Sequence, residues 1–236
     1  MEIADSVELG RGGPQKIPRP ELWQVGAPAP WKNKSHRPIT LEALELAISG
    51  HQPRTPANTK KGQRRSAVLI PIYSSPQEEL HVILTRRSAM MKHHTHEVSF
   101  PGGNQEPQDE DLWATAVREA HEEIALDPRI VRHIGTLDSF VTVGSNSLVT
   151  PFVGTLDTVP ELQANPIEVE EIIHISVNEL LDPDIYREEI WEWKDGRSRP
   201  VYFFELVGDT VWGATAAMLR QFLLVLLSID ESNHFS

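Results

Sequence analysis

The 236-residue sequence predicts an α/β fold, a mixed β-sheet layered between helices. Three observations predict it. Short β-branched apolar runs lie on both sides of one acid-rich amphipathic stretch, a second amphipathic stretch follows near residue 227, and no internal repeat divides the chain.

Residues 1–65 carry eight of the 18 prolines and run into TKKGQRRS, so they read as an N-terminal extension with one short helix, roughly Leu41 to Ser49. The main domain is expected over 66–236. SAVLIPIY and ELHVILTRR, separated by Ser-Ser-Pro, read as adjacent strands, and HEVSFPGG as a third that ends in a glycine turn. Glu110 to Leu126 reads as a helix, because Leu112, Trp113, Ala116, Val117, Ala120 and Ile124 recur at the spacing of one buried face, and Asp127-Pro128 is expected to close it. HIGTLDSFVTV, SLVTPFVGTLD, VEEIIHISV, EEIWEWKD and PVYFFELV follow as strands, then a final helix over Trp212 to Leu227.

Composition narrows the function. With no cysteine, neither thiolate catalysis nor a Cys-based zinc site is available. The net charge of −12 is uneven: residues 1–66 hold 11 Lys/Arg against 6 Asp/Glu, leaving 11 against 28 for the rest. That is +5 followed by −17, and so acidic a body repels phosphate backbones, which argues against nucleic acid as a partner. The start MEIADSVELGRGG has acids where a secretion signal has a basic stretch, and Phe222 to Leu227 is too short to cross a bilayer. A cytoplasmic protein without a membrane partner is expected.

On the predicted central helix, Glu119, Glu122 and Glu123 share an arc of about 100° beside the apolar face. Like charges so crowded oppose the helix and raise one another's proton affinity, and a bound divalent cation reverses that cost. Oxygen-only ligands suit Mg2+ or Mn2+. HHTH at His93 to His96 lacks distant partner ligands and reads better as a solvated or substrate-facing loop than as a zinc site.

The segment SFPGGNQEPQDEDLWATAVREAHEEIAL resembles the Nudix box of the Nudix hydrolases, in the form found in coenzyme A pyrophosphatases. Gly103 and Asp109 have the box spacing, and the eight residues between Asp109 and Arg118, one more than in the general box, match that subfamily. Asp109 replaces the usual Glu and Ala125 the terminal Gly. Upstream, LTRRSAMMKHHTHEVSFPGG is similar to the coenzyme A-associated motif through Leu84, Thr85, Arg87, Ser88 and Phe100 to Gly103. Lys92 stands there for Arg, and His96 for Gly. GTLDSFVTVGSNSLVTPFVGTL, NPIEVEEIIHISVNELL and VWGATAAMLRQFLLVLL resemble the same proteins in order.

The resemblance implies a Nudix-type α/β/α sandwich over 66–236 that hydrolyses a nucleoside diphosphate linkage with Mg2+ or Mn2+. Coenzyme A or its derivatives would yield 3',5'-ADP and 4'-phosphopantetheine. It places Glu119, Glu122, Glu123 and the carbonyl of Gly103 on metal, with Arg118 orienting the glutamates. Glu119 or Glu168 would take the proton from the attacking water, and Arg87, Ser88 and Lys92 would meet the substrate. Glu170 and Glu171 are further acids that could approach the metal from a loop or strand. Two rivals stay open, a Nudix enzyme for ADP-ribose or a dinucleotide cofactor and a non-catalytic Nudix-fold nucleotide-binding module. A homodimer is an open arrangement.

Overall fold

The computed structural model describes residues 10–34, 39–57, 59–60, 62–89, 96–142, 146–193 and 196–230. In chain order its elements are β1 (Trp23–Val25), α1 (Leu41–Gly50), β2 (Arg65–Ser74), β3 (Leu80–Arg87), β4 (Val98–Ser99), β5 (Gly102–Asn104), α2 (Leu112–Ile124), β6 (Val131–Thr136), β7 (Phe140–Val141), β8 (Leu148–Leu156), β9 (Val169–Ser176), α3 (Val177–Leu180), β10 (Tyr186–Glu192), β11 (Ser198–Leu206), β12 (Asp209–Trp212) and α4 (Gly213–Leu226).

Strand β2 is apolar along nearly its whole length because both its faces are covered. Ala67, Leu69 and Tyr73 point to one side, where they meet Ala116, Ala120 and Ile124 of α2. Ile70 and Ile72 point to the other, into a core shared with Leu44 and Ile48 of α1 and Phe222 and Leu223 of α4. The layers are therefore helix, sheet, helix. In the large sheet β2 runs parallel to β8 and antiparallel to β3 and β5, while β3 pairs with β4 and β9 and β8 with β6 and β7, so the sheet is mixed.

A second, antiparallel sheet has the order β1-β10-β11-β12. The sequence pattern puts β10 and β11 among the strands of one mixed sheet, whereas they turn their apolar face onto α4 and carry β1 and β12 as neighbours. The pattern does not predict β1, since three residues between prolines give no periodicity to read. Just after it Trp31, 1% exposed, packs against Tyr186 and Phe204 and joins residues 23–31 to the same core. Burying such a side chain contributes about 2 kcal/mol or more.

Several boundaries differ from the expectation for local reasons. α2 starts at Leu112 rather than Glu110, because the Asp111 carboxylate accepts from the Ala114 N–H at 2.8 Å and caps the first turn. It ends at Ile124, ahead of Asp127-Pro128: Ala125 adopts φ 54° and ψ 26° and donates its N–H to His121 O. HEVSFPGG is two short strands, β4 and β5, with Phe100 and Pro101 between them. HIGTLDSFVTV likewise divides into β6 and β7, and Trp212 ends β12 instead of opening the final helix.

Candidate active site

The site is built where β5 lies beside α2. Pairing of Ala67 with Gly103 holds β5 on the central strand, directly under the acidic face of the helix. The approach is so close that a Cβ on Gly103 would lie 2.4 Å from the Glu119 carboxyl carbon, so any larger residue would push that carboxylate from its place.

The apolar half of α2 is committed to the core, which leaves the glutamates on its edge. Glu123 is the innermost, 4% exposed. Burial pushes its carboxyl up to about 8, Arg87 partly offsets this, and the charges of Glu119 and Glu168 add to the rise. The Gly102 backbone also hydrogen-bonds it. Glu119 is likewise raised, chiefly by burial, against the pull of Arg118 and with further repulsion from Glu122 and Glu168. Glu122 is the outermost and half exposed.

Arg118 organises this edge. Its Nη1 donates to Glu122 at 2.9 Å, its Nη2 lies 2.9 Å from a Glu119 oxygen, and the same Nη2 donates to the Asn104 carbonyl. Behind it, Asp109 takes Nε at 2.9 Å and Nη2 at 3.1 Å. Asp109 also accepts from the Glu106 N–H and the Thr115 hydroxyl. Its carboxyl is almost fully enclosed and is held down to about 2, first by the Arg118 hydrogen bonds. Asp109 is thus a clamp for Arg118, while helix capping belongs to Asp111.

The other expected residues approach from β3 and the start of β9. Arg87 bears electrostatically on Glu123, and its Nε is buried with no hydrogen-bond partner among the described residues. Ser88, also buried, donates its N–H to the carbonyl of Glu168 at 2.8 Å, which fixes the chain carrying Glu168 beside the helix. Glu170 and Glu171 go elsewhere, to Arg86 and His96. Lys92, His93, His94 and Thr95 lie outside the described residues.

His96 and Ala125, the two positions where the matching motifs have glycine, both have positive φ, 62° and 54°. Glycine adopts that backbone freely, whereas a side chain there costs on the order of 1 kcal/mol. The motif preference is therefore a backbone requirement that this chain meets with strained residues.

Residues 63–195 match the family model described as the NUDIX domain. The chain belongs to the Nudix family. Over 169 residues it is 36% identical to the protein named "Uncharacterized Nudix hydrolase NudL" of Photorhabdus laumondii, covering 72% of this chain and 88% of that one. It is also 36% identical over 162 residues to Nudix hydrolase 22, chloroplastic, of Arabidopsis thaliana, covering 66% of this chain and 53% of that one. A Nudix hydrolase of M. smegmatis, RenU, superposes with a TM-score of 0.49 at 17% identity, over 77% of this chain and 98% of that one. This Nudix chain is a hydrolase of the pyrophosphohydrolase type.

Nudix hydrolases generally need divalent metal ions. Among the described residues no three His, Asp or Glu side chains already converge as a metal cage. The donor chemistry nonetheless fits a hard cation: Glu123 is a buried carboxylate whose proton affinity is raised by Glu119 and Glu168, and each of those repulsions is relieved by positive charge. Among the described residues no helix is long and apolar enough to cross a membrane.

The clamp on Arg118 from Asp109 is visible in the sequence only as a spacing. Arg86 and Asp209, an equally well-made pair, carry no such signal, since 123 residues separate them.

Proposed function

We propose that this chain hydrolyses the diphosphate linkage of coenzyme A or its derivatives, releasing 3',5'-ADP and 4'-phosphopantetheine. One observation carries the catalytic half of the reading: Glu119, Glu123 and Glu168 crowd a single edge of α2, with Glu119 and Glu123 both held above the ordinary carboxylate range. Glu119, Glu122, Glu123 and the Gly103 carbonyl would hold Mg2+ or Mn2+. When bound, such an ion neutralises charge on the diphosphate oxygens and activates the attacking water.

The residues around that edge divide the remaining work. Arg118 sets the positions of Glu119 and Glu122, and Asp109 sets Arg118. Glu119 or Glu168 accepts the proton of the attacking water, and burial, which raises the Glu119 carboxyl from its ordinary value, favours its holding a proton. Arg87, whose buried Nε–H has no partner among the described residues, presents a donor to the anionic substrate, and Ser88 and Lys92 would meet the same substrate. The likeness of LTRRS and SFPGG to the coenzyme A-associated motif supports the substrate over other nucleoside diphosphates.

Incubation with coenzyme A, ADP-ribose and NADH, with and without Mg2+ or Mn2+, followed by product identification, tests the substrate. Turnover of coenzyme A to 3',5'-ADP is expected; preferential turnover of ADP-ribose or NADH moves the enzyme to another substrate. The catalytic reading is tested by Glu122→Gln with Glu123→Gln. Metal-dependent turnover should fall at least about 100-fold. The thermal midpoint should not drop, because burial already disfavours the charged form of Glu123 and Gln is a neutral side chain of the same shape. Retained activity would count against these residues as ligands.

A further inference from the structure

We infer that Gln15 and Asp209 are positioning residues for Arg87 and Ser88, acting on them through His96. The inference rests on the proposed roles of Arg87 and Ser88. Gln15 is 8% exposed and Asp209 3%, yet neither belongs to the Nudix box or to the sheet that carries it.

Both N–H donors and the oxygen of the Gln15 amide are engaged. Nε2 donates to the His96 carbonyl at 2.9 Å and to Asp209 Oδ1 at 2.7 Å, while Oε1 accepts from the Thr210 N–H at 2.8 Å. Asp209 in turn receives Arg86 through Nε at 2.8 Å and Nη2 at 2.6 Å. The remaining Arg86 nitrogen reaches Glu171 at 2.6 Å and Glu170 at 3.9 Å. Glu170 closes the ring, since its carboxylate lies 2.9 Å from Nδ1 of His96. A register shift opposite Arg86 and Arg87 leaves Glu170 as the extra residue of β9 and turns it off the regular ladder.

His96 is therefore gripped twice, by its carbonyl and by its ring, in a left-handed backbone less favourable for a histidine than for glycine. It passes this position on. Its N–H donates to Arg87 O at 3.1 Å, Arg87 donates to Glu97 O at 2.9 Å, and Ser88 donates to Glu168 O at 2.8 Å. A plain strut between the N-terminal segment and β12 would need only the Gln15 bonds to Asp209 and Thr210. The additional bond to His96 O links that strut to the residues beside the acidic edge.

The experiment compares the full chain with Gln15→Met and with Arg19→Ala. The second variant breaks another attachment of the same segment, the bonds of the exposed Arg19 to the buried Glu189 of β10 at 2.9 and 2.5 Å. Amide hydrogen exchange at Arg87, Ser88 and His96 is measured alongside KM and kcat for coenzyme A and ADP-ribose with Mg2+. Gln15→Met should speed exchange at those amides and raise KM, each by roughly tenfold, with kcat within about twofold. Arg19→Ala should lower the thermal midpoint without either change. The inference is overturned by unchanged exchange in Gln15→Met, by faster exchange without a rise in KM, or by the same local change in Arg19→Ala. Should Gln15→Met not fold, Glu170→Ala cuts the exposed side of the ring and should give the same changes at smaller size; no change there overturns it too. If local exchange changes while the unaltered chain turns over neither substrate, the substrate assignment fails and not the positioning of these amides.

Discussion

Two buried aspartates each hold an arginine with two hydrogen bonds, and they serve opposite sides of the same site. Asp109 holds Arg118 from nine residues away in the same turn-helix segment, and Arg118 then arranges glutamates. Asp209 holds Arg86 from 123 residues away, across two sheets, and Arg86 then reaches Glu171 and Glu170, of which Glu170 holds the His96 ring. The local pair can form with its helix, whereas the distant one exists only once the second sheet is in place. Similar chemistry thus supports the proposed catalytic edge locally and the proposed substrate edge globally.

Asp109→Asn and Asp209→Asn make the sharpest comparison. Each should lower stability by about 3 kcal/mol, because each leaves a partly buried guanidinium without its counter-charge. Their kinetics should differ. Asp109→Asn should cut kcat by about 100-fold through misplaced glutamates, and Asp209→Asn should mainly raise KM. Urea unfolding with steady-state kinetics on both variants checks this, and matching kinetic profiles would erase the distinction.

Acid sharpens it further. Asp109 titrates at about 2 in the folded protein, below its ordinary value of 3.8, so the folded state favours the charged form. Its contribution to stability is full above the ordinary value and is lost as pH falls through about 2. The stability gap between the unaltered chain and Asp109→Asn should therefore be widest near neutrality and close toward pH 2, measured by urea midpoints at a series of pH values. A gap independent of pH would mean that the carboxylate charge is not what Arg118 needs.

The smallest expected effect concerns the two strained positions. Ala125→Gly should stabilise by about 0.5 kcal/mol, relief of left-handed strain exceeding the chain-entropy cost of glycine. His96→Gly should not, since the same relief is offset by loss of the ring's bond to Glu170. Thermal midpoints of the two variants settle the order.

The contrast between near and far contacts also explains what the sequence discloses. Helical spacing brings Glu119, Glu122 and Glu123 to one edge without any tertiary information, and the apolar stripe of α2 tells which edge. The apolar run of β2 is equally readable. Gln15 gives no signal, because a lone glutamine in a proline-rich stretch is meaningful only once Asp209 and Thr210 are beside it. β1 escapes for the same reason, and with it the second sheet's connection to residues 23–31. Glu170 and Glu171 cannot be told from Glu168 by pattern, since a strand irregularity decides which acid faces the helix and which faces Arg86.

Attachment of β1 to β10, and of Gln15 to β12, also bears on how the protein is made. A ribosome delivers residues 15–25 long before their partners at 186–212 emerge. Between the emergence of α2 and that of residues 186–212 the nascent chain thus carries the sequence of the catalytic helix but an undocked leading segment, whose backbone still lacks the pairing with β10. Competence for substrate should be acquired only in the step that brings residues 15–25 against 186–212.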